Sequence, residues 1–212
     1  MMKNKFNKIT PEMARIHAHI CGDGCAYTKK EKYSKKQLLR HPRKNLYEKV
    51  WLIEYTNTCQ ELLEEFYEDI LIAFNRKGQR VPKYHRISLH STKWILEYLE
   101  LIGKNSYNWY IPKKIINSNE KVICAWLRAF FDDESTVSVS KKMIRIKSMN
   151  PAGLGQVQDL LARLTIYSKI TGQNCDKSYY LNIYRTDIKK YASLIGFTHP
   201  DKINKIEKVA PR

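Results

Sequence analysis

Residues 14–24 read ARIHAHICGDG, and residues 125–135 read AWLRAFFDDES. Both stretches have apolar and small residues at helical spacing, and each delivers an acid near its end, Asp23 in the first and Glu134 in the second. A shift of 111 positions places Ala14 on Ala125 and Asp23 on Glu134. An apolar helix that ends in a carboxylate, used twice in one chain, indicates a site built from two carboxylates.

The charge of the chain indicates a polyanionic partner. Lys and Arg number 38 against 21 Asp and Glu, which gives a formal net charge of +17. Such an excess destabilises a compact state through self-repulsion, so it favours a nucleic-acid-binding protein over a merely soluble basic one. At 212 residues the chain is long enough for one large or two small domains.

Membrane attachment and secretion are not expected. No stretch approaches the roughly 18 apolar residues of a spanning helix, and the first residues lack the apolar core of a signal peptide. The five cysteines are an odd and scattered set without zinc spacing, which favours a reducing, intracellular location. Cys21 and Cys25 are expected to be buried as small apolar residues.

An internal repeat extends beyond the two acidic stretches. Leu101 follows Asn57 by 44 positions, and Leu194 follows Asn150 by the same 44. Both Asn residues are predicted to be helix N-caps, and the Gly two positions after each Leu is predicted to end a helix. The acid precedes the Asn by 34 positions in the first repeat and by 16 in the second, so the first repeat carries an 18-residue insertion.

Each repeat is predicted to be a motif helix, two strands, a helix, two strands and a final helix. We predict a first repeat over 1–104, a linker over 105–117 and a second repeat over 118–212. The motif helices are predicted at 11–23 and 119–134, and the later helices at 58–74, 92–102, 152–164 and 187–195. Strands are predicted at 49–55, 136–140 and 143–147, the last two as a hairpin.

The motif helices carry small residues on one face. Ala14, Ala18 and Gly22 are four positions apart, which lets a second helix approach closely. If the two helices pack along these stripes, Asp23 and Glu134 become neighbours. Like carboxylates that close together call for a cation between them, and Mg²⁺ (or Mn²⁺) suits carboxylates and phosphates together.

The chain resembles the LAGLIDADG homing endonucleases, in the single-chain form with two motifs. The nine motif letters fall on residues 16–24, IHAHICGDG, and on 127–135, LRAFFDDES. The eighth letter, the metal-binding acid of the family, falls on Asp23 and Glu134, and Glu is a common family variant there. Cys21 stands where the family often has its first Asp, and Ser135 replaces the final Gly.

The resemblance implies an α+β fold of two pseudo-symmetric αββαββα repeats packed through their motif helices, with antiparallel sheets that form a DNA-binding saddle. It implies an endonuclease that hydrolyses both strands of DNA with Mg²⁺ and leaves short 3′ overhangs. The metal site would comprise Asp23 and Glu134, with the backbone carbonyls of Gly22 and Asp133. Lys147, at a strand end, would act electrostatically on the scissile phosphate, whereas its counterpart in the first repeat is Glu54.

The basic insertion of the first repeat and the shorter hairpin of the second are the predicted DNA contacts. Unequal hairpins predict different half-sites and therefore a long asymmetric target. The predicted DNA-binding residues are Lys29, Lys30, Lys32, Lys35, Lys36, Arg40, Arg43, Lys44, Lys49, Lys141, Lys142 and Arg145.

Two other functions remain open from the sequence. An RNA maturase that assists splicing of its own intron needs the basic surface but not the acids. A DNA-binding regulator on the same fold typically lacks one or both acids, whereas both are present here. The leading prediction is a monomeric, intron- or intein-encoded endonuclease that acts on double-stranded DNA.

Overall fold

The computed structural model describes residues 8–32 and 47–210. In the first half, the elements in chain order are α1 (Pro11–Cys21), β1 (Gly24–Lys32), β2 (Tyr47–Thr56), α2 (Gln60–Phe74), β3 (Gln79–Val81), a one-turn 3-10 helix (Pro82–Tyr84), β4 (Arg86–Ser91) and α3 (Lys93–Tyr98). In the second half they are α4 (Lys113–Ile116), α5 (Glu120–Glu134), β5 (Ser135–Ser138), β6 (Met143–Ser148), α6 (Pro151–Arg163), β7 (Ser168–Thr171), β8 (Tyr179–Tyr184), α7 (Arg185–Leu194) and α8 (Pro200–Val209).

The two halves have the same sheet topology. The strand order is β1-β2-β4-β3 in one sheet and β5-β6-β8-β7 in the other, and all neighbouring strands are antiparallel. This confirms the predicted α+β class with two αββαββα repeats. No helix within the described residues is both long enough and apolar enough to cross a membrane.

The motif helices α1 and α5 pack together at the centre of the molecule. Ala14, Ala18 and Ala129 have no exposed surface, as the small-residue stripes predicted. The Trp126 indole Nε1 donates a hydrogen bond of 3.0 Å to Nδ1 of His17, which joins the two helices inside the core. Both helices are capped at their beginnings by side chains, Thr10 for α1 and Asn119 for α5.

The alternation of side chains on each sheet separates a core face from a face turned away from the helices, called the outer face below. Ile53, Tyr55 and Ile87 belong to the core face of the first sheet, and Ile144 and Leu181 belong to that of the second. The strand residues that alternate with them form the two outer faces. Of the predicted DNA contacts, Lys29 and Arg145 lie on these outer faces.

Several local predictions are wrong. The helix after Asn57 begins at Gln60, and Asn57 accepts a bond from the Cys59 N–H instead of capping the first turn directly. The helix α3 ends at Tyr98, so Gly103 does not terminate it, whereas Gly196 follows α7 as predicted. Cys25 is exposed, since it points to the outer face of the first sheet.

Two helices of the structure were not predicted from the sequence. The predicted linker contains the one-turn helix α4, and a C-terminal helix, α8, follows α7. Pro200 occupies the first turn of α8, a position that favours helix initiation. The helix α8 matters to the site because it carries a lysine to the end of α5.

Candidate metal and DNA-binding site

The two predicted metal acids lie where the motif helices end. Asp23 is exposed in the turn after α1, and Glu134 is the partly buried last residue of α5. Burial, followed by the negative charges of Asp23 and Asp133, raises the pKa of Glu134 to about 7. Although Asp23 is exposed as a residue, desolvation of its carboxylate by the surrounding protein and the charge of Asp133 raise its pKa as well. The acids therefore interact electrostatically, as expected of carboxylates that share a site.

The side chain of Asp133 is turned into the interface between the repeats. Its Oδ2 lies 2.9 Å from His19 Nδ1, and its Oδ1 accepts a hydrogen bond of 2.6 Å from the Tyr55 hydroxyl. Burial acts against a charged His19, but the charge and hydrogen bond of Asp133 outweigh it and raise the pKa of His19. Gly22 makes room for this side chain, since a Cβ on Gly22 would lie 2.8 Å from both Cβ and Oδ2 of Asp133.

Asp23 is linked to this buried group through Asn57. The Asn57 amide donates to Asp23 Oδ2 at 3.0 Å, and it lies 3.1 Å from the Tyr55 hydroxyl oxygen. By contrast, no side chain within the described residues donates a hydrogen bond to the carboxylate of Glu134. The two predicted metal acids therefore have different surroundings.

Lys202, on α8, is a site residue that the sequence did not predict. Its Nζ donates to the backbone oxygens of Phe131 at 2.9 Å and Asp132 at 2.5 Å, at the C-terminal end of α5. Burial lowers the pKa of Lys202, and the surrounding acids, Asp23 and Glu134 among them, oppose that effect. A cation suits this end of a helix, where free carbonyl groups concentrate negative charge.

Asp132 anchors the residues at which α8 begins. Its carboxylate accepts backbone hydrogen bonds of 3.0–3.2 Å from Thr198 and His199. The interaction explains why this motif acid is buried and structural while Glu134, two positions later, reaches the site. Lys202 thus depends on Asp132 for its position. Three acids follow one another at 132–134, and each has different surroundings in the structure. The sequence does not indicate which partner each of them contacts.

Lys147 lies at the edge of the same site. It lines a cavity of about 310 Å³ together with Glu134, Gly22 and Asp176. Its Nζ forms an ion pair of 2.5 Å with Asp176, and both side chains are about half exposed. Glu54, its counterpart, is instead enclosed on the first outer face by hydrogen bonds from Tyr27, Ser88 and Arg86.

The donor set fits a divalent cation that also binds phosphate. Within 8–32 and 47–210, no three His, Cys, Asp or Glu side chains form a group that could hold a metal by themselves. Two carboxylates, Asp23 and Glu134, with backbone oxygens nearby are what Mg²⁺ uses when water and substrate phosphate complete its shell.

The predicted DNA contacts divide between the faces of the hairpins. Lys29 and Arg145 point to the outer faces, whereas Lys30, Lys32 and Lys49 alternate to the opposite side of the long β1–β2 hairpin. Arg145 is held in place, with its Nε 2.9 Å from Asn182 Oδ1 and its guanidinium 4.4 Å from the centre of the Tyr180 ring. Lys141 and Lys142 are exposed in the turn between β5 and β6, and Lys35, Lys36, Arg40, Arg43 and Lys44 lie outside the described residues.

Sequence comparisons identify one domain and two larger relatives. Residues 121–196 match the family described as a LAGLIDADG-like domain. The chain is 26% identical over 125 residues to DNA-directed RNA polymerase subunit Rpo1C of Methanocaldococcus jannaschii, covering 59% of this chain and 14% of that protein. It is 24% identical over 231 residues to the replicative DNA helicase DnaB of Synechocystis sp., covering 95% of this chain and 24% of that protein. The chain thus spans less than a quarter of the length of either relative.

Solved structures match over nearly the whole chain. Mesophilic variants of the homing endonuclease I-DmoI give a TM-score of 0.64 at 19% identity, covering 93% of this chain and 97% of theirs. I-DmoI in complex with DNA and Mn gives 0.62 at 19% identity, covering 88% and 96%. The LAGLIDADG homing endonuclease I-LtrWI, bound to target DNA, gives 0.55 at 9% identity, covering 94% and 89%.

These matches define the class of fold as that of the homing endonucleases. More particularly, the chain has the single-chain, two-repeat LAGLIDADG fold, and its second repeat contains a LAGLIDADG-like domain. The resemblance and the fold class predicted from the sequence are confirmed.

Proposed function

We propose that this chain is a site-specific, divalent-metal-dependent endonuclease that cuts double-stranded DNA. The observation that carries the proposal is the convergence of Asp23 and Glu134, one from each repeat, at the ends of two packed motif helices. Desolvation raises the pKa of both acids, and a neighbouring negative charge adds to it, that of Asp133 at Asp23 and that of Asp23 at Glu134. A paired, partly desolvated acid site in a chain of net charge +17 suits hydrolysis of a polyanion.

The residues of the site divide the work. Asp23 and Glu134 hold a divalent cation, with the carbonyls of Gly22 and Asp133 as further oxygen ligands. When bound, the cation supplies Lewis-acid activation of the phosphodiester and of the attacking water. Lys147 exchanges its exposed partner Asp176 for a phosphate of the DNA and stabilises the charge that develops there.

Lys202 supplies a fixed positive charge behind the acids. Its Nζ donates hydrogen bonds to two carbonyl oxygens of α5, so it stays in place and does not move to contact a DNA phosphate as Lys147 does. It favours the ionised form of both carboxylates, since its charge acts to lower their pKa values. The ionised form is the one that binds a cation.

The outer faces of the two sheets hold the DNA. Lys29 on one face and Arg145 on the other contact the duplex, and Arg145 is oriented well enough to read guanine in the major groove. The hairpin β1–β2 is much longer than β5–β6, so the half-sites differ and the target is long and asymmetric. Cleavage by a monomer leaves short 3′ overhangs, as the LAGLIDADG resemblance implies.

The relatives support an origin as an intron- or intein-encoded protein. An RNA polymerase subunit and a DNA helicase differ in their named functions, yet each is similar to this chain over less than a quarter of its own length. A mobile coding segment that inserts into different host genes would give that distribution.

The test is removal of each acid while DNA binding is followed separately. Asp23→Asn and Glu134→Gln should reduce cleavage at least about a thousandfold, because each removes a charged cation ligand, and should leave duplex affinity within about threefold. The matched control is Glu97→Gln, which removes an exposed acid paired with Lys93 on α3. Cleavage by either site variant at the rate of this control would contradict the proposal, as would tighter binding of structured RNA than of duplex DNA.

A further inference from the structure

A chain of hydrogen bonds crosses the interface between the repeats and, within the described residues, reaches Asp23 but not Glu134. Starting from the second motif, Asp133 bonds to His19 at 2.9 Å and receives the Tyr55 hydroxyl at 2.6 Å. The Asn57 amide nitrogen lies 3.1 Å from the Tyr55 oxygen and 3.0 Å from Asp23 Oδ2. Four side chains from both repeats therefore determine the orientation of one carboxylate.

The orientation of the Asn57 amide is fixed by its other end. Its Oδ1 accepts a bond of 2.9 Å from the backbone N–H of Cys59, so the NH₂ group must face Asp23 and Tyr55. Tyr55 is itself held, since it is fully buried and its proton goes to Asp133. Because the tyrosine oxygen then accepts from Asn57, each bond in the chain has one direction only.

Within the described residues, the second repeat has no equivalent chain of hydrogen bonds. The repeat alignment replaces the helix histidine by Phe130, the tyrosine by Ser148 and the buried aspartate by Gly22. Asn150 is present, but its amide donates to the backbone oxygen of Trp109 at 2.5 Å instead of to Glu134. The two repeats therefore differ at four aligned positions, three in residue type and one in the hydrogen-bond partner of its Asn.

We propose that Tyr55 and Asp133 are positioning residues that hold Asp23 through Asn57, so that the two DNA strands are cut in a fixed order. The inference rests on the proposed endonuclease function. Asp23 is already held in one orientation, so it loses little conformational entropy when it reaches its reactive geometry. Glu134 is not held in this way and must be ordered on each turnover. One strand is therefore cut faster than the other, and Tyr55→Phe slows mainly that faster strand.

The first measurement follows the two strands separately, with different labels on one duplex target. The wild type should cut one strand at least about threefold faster. Tyr55→Phe should slow that strand about tenfold, the effect expected from the loss of one charge-assisted interaction, and bring the ratio towards one. The matched control is Tyr191→Phe, which removes a buried hydroxyl with no partner among the described residues and should leave the ratio unchanged. Asn57→Ala, at a partly exposed position, provides a second test of the same effect.

The second measurement needs neither metal nor cleavage. Thermal unfolding in EDTA is compared for Tyr55→Phe, Asn57→Ala and the double variant, and the same cycle is repeated with Tyr191→Phe in place of Tyr55→Phe. Losses in Tm should be non-additive in the first cycle by about 2–4 °C and additive in the second.

The outcomes separate the two claims. Equal slowing of both strands, no slowing at all, or additive losses in Tm would overturn the positioning role. If the wild type cuts no duplex, the endonuclease function fails instead, and the unfolding cycles alone decide whether the hydrogen-bond chain exists. Non-additivity then supports the chain and additivity overturns it.

Discussion

Glu134→Gln is expected to stabilise the protein in the absence of metal, although it removes a residue of the site. The folded state raises the pKa of Glu134 from 4.5 to about 7, so folded protein binds this proton more tightly than unfolded protein does. The stability that comes from the neutral form is present below pH 4.5 and is lost as the pH rises through about 7. Gln cannot ionise, so the variant does not lose this free energy of unfolding as the pH rises.

The pKa difference sets the size of the effect. At pH 8 it corresponds to an upper figure of roughly 3 kcal/mol, and partial solvent access to Glu134 reduces the expected gain to about 1–3 kcal/mol. At pH 4.5 the wild type and the variant should differ little, because most of the carboxyl groups are then neutral. Added Mg²⁺ should stabilise the wild type at pH 8 and should have much less effect on the variant.

The assay is urea unfolding followed by circular dichroism, in EDTA at pH 8 and at pH 4.5. Glu97→Gln serves as the control, since it removes an exposed acid and should change stability little at either pH. A Glu134→Gln variant that is no more stable than the wild type at pH 8 would refute the reasoning. So would a gain of the same size at both pH values.

Three further predictions concern packing, the C-terminal helix and DNA affinity. Gly22→Ala should lower the free energy of unfolding by about 1–3 kcal/mol, because the new Cβ would lie 2.8 Å from Asp133. Gly155→Ala, where a Cβ would have nothing within 4 Å, should be neutral or stabilising. Urea unfolding compares the two variants, and equal effects would contradict the close packing at Gly22. Asp132→Ala should free the backbone N–H groups of Thr198 and His199 and increase hydrogen exchange in α8 more than in α6; unchanged exchange would contradict the role of this acid. Affinity for duplex DNA should fall steeply between about 50 and 200 mM salt, because the binding surface is basic. Titration followed by fluorescence anisotropy measures the affinity. An affinity that does not change with salt would argue against phosphate contacts.

The fold was predictable because its determinants are local or repeated. The alanines of the motif helices recur every four residues, so the packing face and the position of each following acid follow from helical geometry alone. The strands of the second hairpin alternate apolar and polar residues, and the register of Thr136 with Arg145 agrees with that alternation. Because the pattern is repeated, an element predicted in one half also predicts the same element in the other half.

The surroundings of the acids were not predictable, because their partners are distant in the sequence. Asp133 meets Tyr55 across 78 positions, and Lys202 meets Phe131 across 71. Each contact depends on how the two repeats and α8 pack, which a periodic pattern does not encode. The one available signal was the mismatch between repeats, since Tyr55 aligns with Ser148 while the neighbouring Asn is retained.

Turn geometry accounts for the errors at helix ends. The sequence predicts Asn57 as the N-cap of α2, but its side chain accepts a hydrogen bond from the Cys59 N–H, and the helix begins at Gln60, two residues later than predicted. Glu100 takes a positive φ of 54°, so the chain leaves α3 before Gly103. Asn and Gly signals locate a turn correctly, but neighbouring residues decide which position adopts the special backbone conformation.

In the proposed function, Asp23 and Glu134 form one metal-dependent site that cuts both strands of DNA. The most direct measurement is cleavage of a randomised duplex library with Mg²⁺, with Ca²⁺ or with EDTA, followed by sequencing of the ends. A single long asymmetric target, cut with Mg²⁺ but not with EDTA and leaving short 3′ overhangs, is the predicted result, and Asp23→Asn should abolish it. Tight, salt-sensitive duplex binding without any cleavage would contradict the claim and indicate a regulator on the same fold.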